Sequence, residues 1–90
     1  MRYLHVKYRH KRGEDPVHLY SELDDQRYEC RKVEIYLDGR RGYADKTEEK
    51  NGTTLGVMPV PPLSEIADQE EFEAKEIPQE EFQRIWLKRR

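Results

Sequence analysis

Three histidines, His5, His10 and His18, stand close together near the start of the chain, a grouping that could serve a metal or a proton relay. If the segments around His5 and His18 pair as strands, the two rings meet on one sheet face. A metal needs more ligands than that, each oriented by a further hydrogen bond. No CxxC, HExxH or calcium-loop spacing supplies them, so the histidines read as surface residues and no metal is expected. Glu22, Asp24 and Asp25, with Arg27 nearby, could act as general acid and base. Acids in a turn are normally solvated, however, and keep ordinary proton affinities. The five glycines are dispersed and none opens a helix after a strand, which excludes phosphate and dinucleotide loops. Cys30, the lone cysteine, precludes an internal disulfide and reads as a small core residue rather than a nucleophile. The chain is therefore expected to be no enzyme and to take no cofactor or small-molecule substrate.

A third grouping points to recognition instead. Tyr36, Arg41 and Tyr43 flank Asp38-Gly39, a strong hairpin signal because a two-residue type I′ turn needs positive φ at both central positions. That turn would set Tyr36 opposite Arg41 and Glu34 opposite Tyr43. Glu34, Tyr36, Arg41 and Tyr43 would then share one face, with Val33, Ile35 and Ala44 on the core side. Tyr and Arg are enriched where proteins bind partners, and also where unstacked bases are held.

These groups need a scaffold. Leu4, Val6 and Tyr8 alternate with polar residues, predicting a first strand with one buried face; His10 to Pro16 breaks it. A second strand places Val17, Leu19 and Ser21 on one face and His18, Tyr20 and Glu22 on the other. Leu23 to Gln26 reads as an acidic turn. Tyr28 to Leu37 is the longest strand-like run, but Tyr28 and Cys30 differ in parity from Val33, Ile35 and Leu37. A bulge or strong twist is therefore expected near Arg31-Lys32, or else a strand covered on both faces at different points. Asn51-Gly52 is a second turn signal, with a short strand expected at Thr53 to Leu55. GVMPVPP reads as a semi-rigid crossover in which Val57, Met58 and Val60 pack. Leu63, Ile66 and Ala67 predict a short helix, and Phe72 an anchor for the linker after it. Phe82, Ile85 and Trp86 form the stripe of a second helix, with Trp86 expected against the sheet.

The expected fold is α+β: a twisted, mainly antiparallel sheet of four or five strands followed by two C-terminal helices packed on one face. One domain is expected over residues 1–90, β-rich over 1–56, crossing at 57–62 and helical over 63–90. Charge is nearly balanced overall, with 17 basic and 19 acidic residues, but it is segregated. Met1 to Arg12 carries five Lys or Arg and no acid, whereas Pro62 to Gln83 carries eight acids and one base, Lys75. Such an acidic segment repels nucleic acid and attracts a basic partner. No apolar run is long enough for a membrane span or a signal sequence, so a cytoplasmic protein is the expectation.

At YSELDDQRYECRKVEIYLDGRRGYA, followed by LSEIADQEEF and EIPQEEFQRIW, the chain resembles a bacterial family of small single domains of unknown function. The shared features are the Tyr-Ser-Glu-Leu-Asp start, the Arg-Lys-Val-Glu strand ending in Asp-Gly, and a final helix with Phe and Trp. Pro78 stands where the pattern has Ser or Thr before that helix. The resemblance supplies no catalytic residues. In size and acid-rich surface such proteins resemble the immunity proteins of polymorphic and contact-dependent growth-inhibition toxins. This implies a 1:1 complex with a cognate toxin domain, a nuclease being the class whose basic active site an acidic surface would cover. The contact residues expected are Glu22, Asp24, Asp25, Tyr36, Arg41, Tyr43, Glu70 and Glu71. A nucleic-acid-binding module using Arg2, His5, Lys7, Arg9 and the tyrosines is the less favoured alternative.

Overall fold

Alternating apolar and polar residues produce the first strands expected from the sequence, and pairing adds two short ones where none was expected. The computed structural model describes residues 1–9 and 15–90; His10, and most of the break predicted around it, lie outside them. Six strands form one antiparallel sheet: β1 (Arg2–Tyr8), β2 (Pro16–Leu23), β3 (Glu29–Tyr36), β4 (Arg41–Ala44), β5 (Glu49–Lys50) and β6 (Phe72–Glu76). Their spatial order is β5-β4-β3-β2-β1-β6. The helices α1 (Leu63–Ala67) and α2 (Gln79–Leu87) complete an α+β fold.

β6 corrects the expectation of an uninterrupted helical region after residue 62. Phe-Glu-Ala-Lys-Glu is rich in helix formers, but its Phe72 and Ala74 alternate with charged residues, and β1 offers a free edge. The pairs Leu4↔Glu76, Val6↔Ala74 and Tyr8↔Phe72 make it a strand. Tertiary pairing here overrides local propensity. β5 is also displaced from its predicted place. Asn51 and Gly52 have φ of 57° and 82°, as a type I′ turn requires, but the paired residues Glu49 and Lys50 precede that turn, and Thr53 to Leu55 form no strand.

The β3–β4 hairpin closes differently from the two-residue turn expected. Gly39 N–H donates to Tyr36 O, and Tyr36 N–H donates to Arg40 O, both at 2.9 Å. Gly39 has φ of +89°, whereas Asp38 is not in the positive-φ region and instead accepts the Arg40 N–H on its carboxylate. The loop is therefore three residues, Leu37-Asp38-Gly39, a type I turn completed by a glycine bulge. The added loop residue shifts the register by one: Val33 pairs with Tyr43 and Ile35 with Arg41. A one-residue shift exchanges the faces of every side chain on one strand. Arg41 and Tyr43 thus join Val33 and Ile35 on the core face, and Leu37, expected with them, is 57% exposed in the loop.

The irregularity predicted near Arg31 is present. Glu22 pairs with Arg31 and Leu23 with Glu29, so Cys30 is the extra residue of a bulge. Cys30 is only half-buried there, not a core residue. A second shift between Pro16 and His18 leaves Val17 unpaired in the β2–β3 ladder.

The sheet is covered on both faces. On the first, α2 lays Phe82 and Trp86 against Tyr3, Tyr20, Val33 and Tyr43, with Ile77 alongside, all buried. On the second, Leu4, Leu23 and Ala44 are almost wholly buried, as is Thr53 of the chain that follows β5. That segment is tied down at three places: Thr53 Oγ1 donates to Glu34 (2.7 Å), Lys32 Nζ donates to Thr54 O (3.3 Å), and Gly56 N–H donates to Glu29 (2.6 Å). Arg27, in the left-handed region at φ 68°, then grips Val60 O and Pro61 O through its guanidinium at 2.7 and 2.8 Å. Val57 and Met58 do not pack as expected; they are 87% and 72% exposed. Because both faces are covered, Tyr3 and Leu4 are buried in succession, which a one-sided strand would not allow.

Candidate functional site

Glu22 belongs to the core and not to an exposed turn. It sits on β2 directly opposite Arg31 of β3, and the two form a fork: Arg31 Nε to Glu22 Oε1 and Nη2 to Oε2, both 2.8 Å. The guanidinium lies 5.0 Å from the ring centroids of both Phe82 and Trp86, and its Nη1 donates to Gln83 of α2 at 3.3 Å. Hydrogen bonding from Arg31 holds the Glu22 carboxyl below its ordinary proton affinity, and burial beside that carboxylate pushes the Tyr3 phenol up.

The rings of His5 and His18 do meet. His5 Nε2 lies 2.9 Å from His18 Nδ1, so one ring donates and the other accepts, and His5 stacks flat on Tyr20 with centroids 4.4 Å apart. Burial lowers the proton affinity of both, with Lys7 adding to the effect at each and Lys75 at His5. The shared N–H···N bond fixes the two rings against each other on the sheet face. A cleft of about 470 Å³ adjoins it, lined by His5, Lys7, Arg9, Phe72, Glu73 and Lys75 among others. Among the described residues no group of three or more His, Cys, Asp or Glu side chains is placed to hold a metal ion.

The acidic segment runs along the β6 edge. Glu73 and Glu76 form ion pairs with Arg9 and Arg2, but Glu65, Asp68, Glu70, Glu71 and Glu80 are exposed and make no ion pair among the described residues. They flank α1, β6 and the start of α2. The same two arginines bear on the nucleic-acid alternative. Arg2 lies on the opposite face of β1 from His5, Lys7 and Arg9, and both Arg2 and Arg9 are neutralised by acids of β6.

The expected contact residues do not form one patch. Glu22 is 7% exposed and Tyr43 4%, leaving neither with area for a partner. Tyr36 is on the other face from Arg41 and Tyr43, and its ring carries Arg40 at 4.4 Å instead. Arg41 is half-buried and donates to Lys88 O at 2.9 Å. Asp24 shapes its turn by accepting the N–H groups of Gln26 and Tyr28 on one oxygen at 2.9 and 3.0 Å. Asp25, Glu70 and Glu71 are exposed. The Asp24-Asp25 turn follows Leu23, which pairs with Arg2, whereas Glu71 O accepts the Arg9 N–H. The two groups are thus separated by the length of β1, about 23 Å at 3.3 Å per residue. Arg31 was missed as a structural residue. Its signal is a parity argument: with the bulge placed at Cys30, a core-facing Glu22 must find a cation across the ladder.

The site and fold define a small α+β domain with an open antiparallel sheet, a helix on one face and an acidic edge. A family model described as a domain of unknown function, DUF6881, matches residues 2–90, and the chain belongs to that family. No curated protein and no solved structure matches it. Among the described residues no helix is long and apolar enough to cross a membrane.

Proposed function

We propose that the protein is a non-enzymatic immunity protein that binds a cognate bacterial toxin domain in a 1:1 complex in the cytoplasm, the toxin being a nuclease. The observation that carries this reading is the set of exposed acids around α1, β6 and the start of α2: Glu65, Asp68, Glu70, Glu71 and Glu80 make no ion pair among the described residues, while their neighbours Glu73 and Glu76 do. Acids left in this state keep their charge available to a basic active site, compete there with phosphates and speed encounter by steering. A stable interface needs about 800 Å² from this partner. The chain offers 5903 Å² in all.

Of the contact residues expected, Glu70 and Glu71 stay in this proposal as its centre, with Asp68 and Glu65 added. Asp25 stands too far away to join them in one compact interface. The test is co-expression with the product of the adjacent upstream gene, since immunity genes follow their toxins. Protection of cells and a salt-sensitive 1:1 complex are expected. In a Glu70→Lys/Glu71→Lys variant the association rate should fall about tenfold or more while the fold is kept. If that gene product is no toxin and does not co-purify, the reading fails.

A further inference from the structure

Near the edge of the sheet opposite β6, cations gather around one cleft. After α2 the chain returns to β4, where Arg41 Nη1 donates to Lys88 O at 2.9 Å and Arg90 Nε donates to the Tyr43 hydroxyl at 3.3 Å. Arg89 lies against two rings, its Cζ 4.1 Å from the Trp86 centroid and 4.8 Å from that of Tyr43. With the β3–β4 turn and β5, these residues enclose a cleft of about 420 Å³ lined by Arg40, Arg41, Lys50, Asn51, Arg89 and Arg90, together with Gly39 and Tyr43. Five of the lining residues are cations and none is an acid.

Part of this cluster has a structural role. Arg41 and Arg89 each give one N–H to a carbonyl at the end of α2, where cations complement the helix dipole. That accounts for one of the five donors on each guanidinium. It does not account for Lys50 or Arg40, which are exposed and have no carboxylate partner among the described residues; Arg40 stacks on the Tyr36 ring, which leaves its N–H donors for a ligand. Glu48 meets Arg90 at 3.7 Å in an exposed contact of the kind that contributes little. Arg89 Nε is a buried nitrogen with no acceptor, leaving the guanidinium short of hydrogen-bonding partners. Gathering like charges around a concave surface costs energy that an anion would return.

We propose that this cleft binds a phosphate group, carried either by a free nucleotide-sized anion or by a nucleic-acid strand. Guanidinium forks take phosphate oxygens in pairs, and the cleft falls within the usual size of small-ligand sites. The site is separate from the acidic edge and does not depend on toxin binding.

The test is a titration of the full chain, ¹⁵N-labelled and at low salt, with three probes in turn: inorganic phosphate, ADP and an oligothymidylate. Saturable shifts of the arginine Nε–H signals of Arg40 and Arg41 and of the Asn51 amide are expected with at least one probe. Response to phosphate or ADP assigns a free anion, and response to the oligonucleotide alone assigns a strand. Arg40→Gln/Lys50→Gln, both exposed positions, should weaken binding about tenfold or more. Arg2→Gln/Arg9→Gln, which removes cations near the other edge, should leave it unchanged. Absence of a saturable shift with all three probes, or an equal loss in the control variant, overturns the proposal.

Discussion

Arg31 and Glu22 face each other across the β2–β3 ladder with two 2.8 Å contacts, and the guanidinium so fixed is the surface on which Phe82 and Trp86 rest. α2 is therefore seated partly on a desolvated ion pair. Removing one partner leaves the other charge in the core. Glu22→Gln should lower stability by about 3 kcal/mol. Arg31→Lys keeps the charge but loses the fork, for about 1–2 kcal/mol. Replacing both together, Glu22→Leu with Arg31→Met, should recover much of the loss. Urea unfolding of the four proteins checks the pattern, which fails if the double variant is as unstable as the sum.

Gly42 is held to glycine by contact. A Cβ there would run into Thr53 Oγ1 and lie 3.1 Å from Lys50 O, and the same Thr53 hydroxyl bonds Glu34. Gly42→Ala should cost about 1–3 kcal/mol by overpacking. Adding Thr53→Ala relieves the main clash, so the double variant should be less destabilised than the summed singles. Chemical denaturation of the cycle measures that coupling.

Acid should weaken the fold in two stages. Burial holds His5 and His18 below the ordinary value of 6.5, against a smaller opposing pull from Glu81 on His5. As pH falls the unfolded chain takes up these protons first. Stability is thus complete above about 6.5 and declines as pH falls through the folded-state values. Glu22, held below its ordinary 4.5 by Arg31, adds a second loss as pH falls below that value. Thermal melts across this range should show both limbs. His5→Gln/His18→Gln should flatten the upper one alone.

Trp86 joins the two halves of the first core. It is 7% exposed, edge-on to Tyr43 at 5.9 Å, and carries both Arg31 and Arg89. Trp86→Ala should cost about 3–5 kcal/mol. It should also free the C-terminal arginines, seen as loss of hydrogen-exchange protection around Lys88 to Arg90.

By itself the sequence determined whatever depends on local chemistry. Apolar alternation and turn residues placed β1, β2 and β3. The parity break between Cys30 and Val33 marked a bulge within a residue or two, and the Phe82, Ile85 and Trp86 spacing set the stripe of α2 and its seat on the sheet. The class α+β followed from these, as did the meeting of His5 with His18, because strand pairing and period-2 alternation suffice for both. The tertiary structure alone decided three further matters. A free edge on β1 turned the charged stretch Phe72–Glu76 into β6, since a row of unsatisfied backbone groups outweighs weak helical propensity. A single extra residue in the 37–39 loop exchanged the faces of β4, burying Tyr43 and dispersing the tyrosine–arginine patch. The return of residues 53–61 onto the second face, tied to Glu34, Lys32, Glu29 and Arg27, made Thr53 core. Each depends on contacts between residues far apart in the chain, where a shift of one position in register reverses what is buried and what is left for a partner.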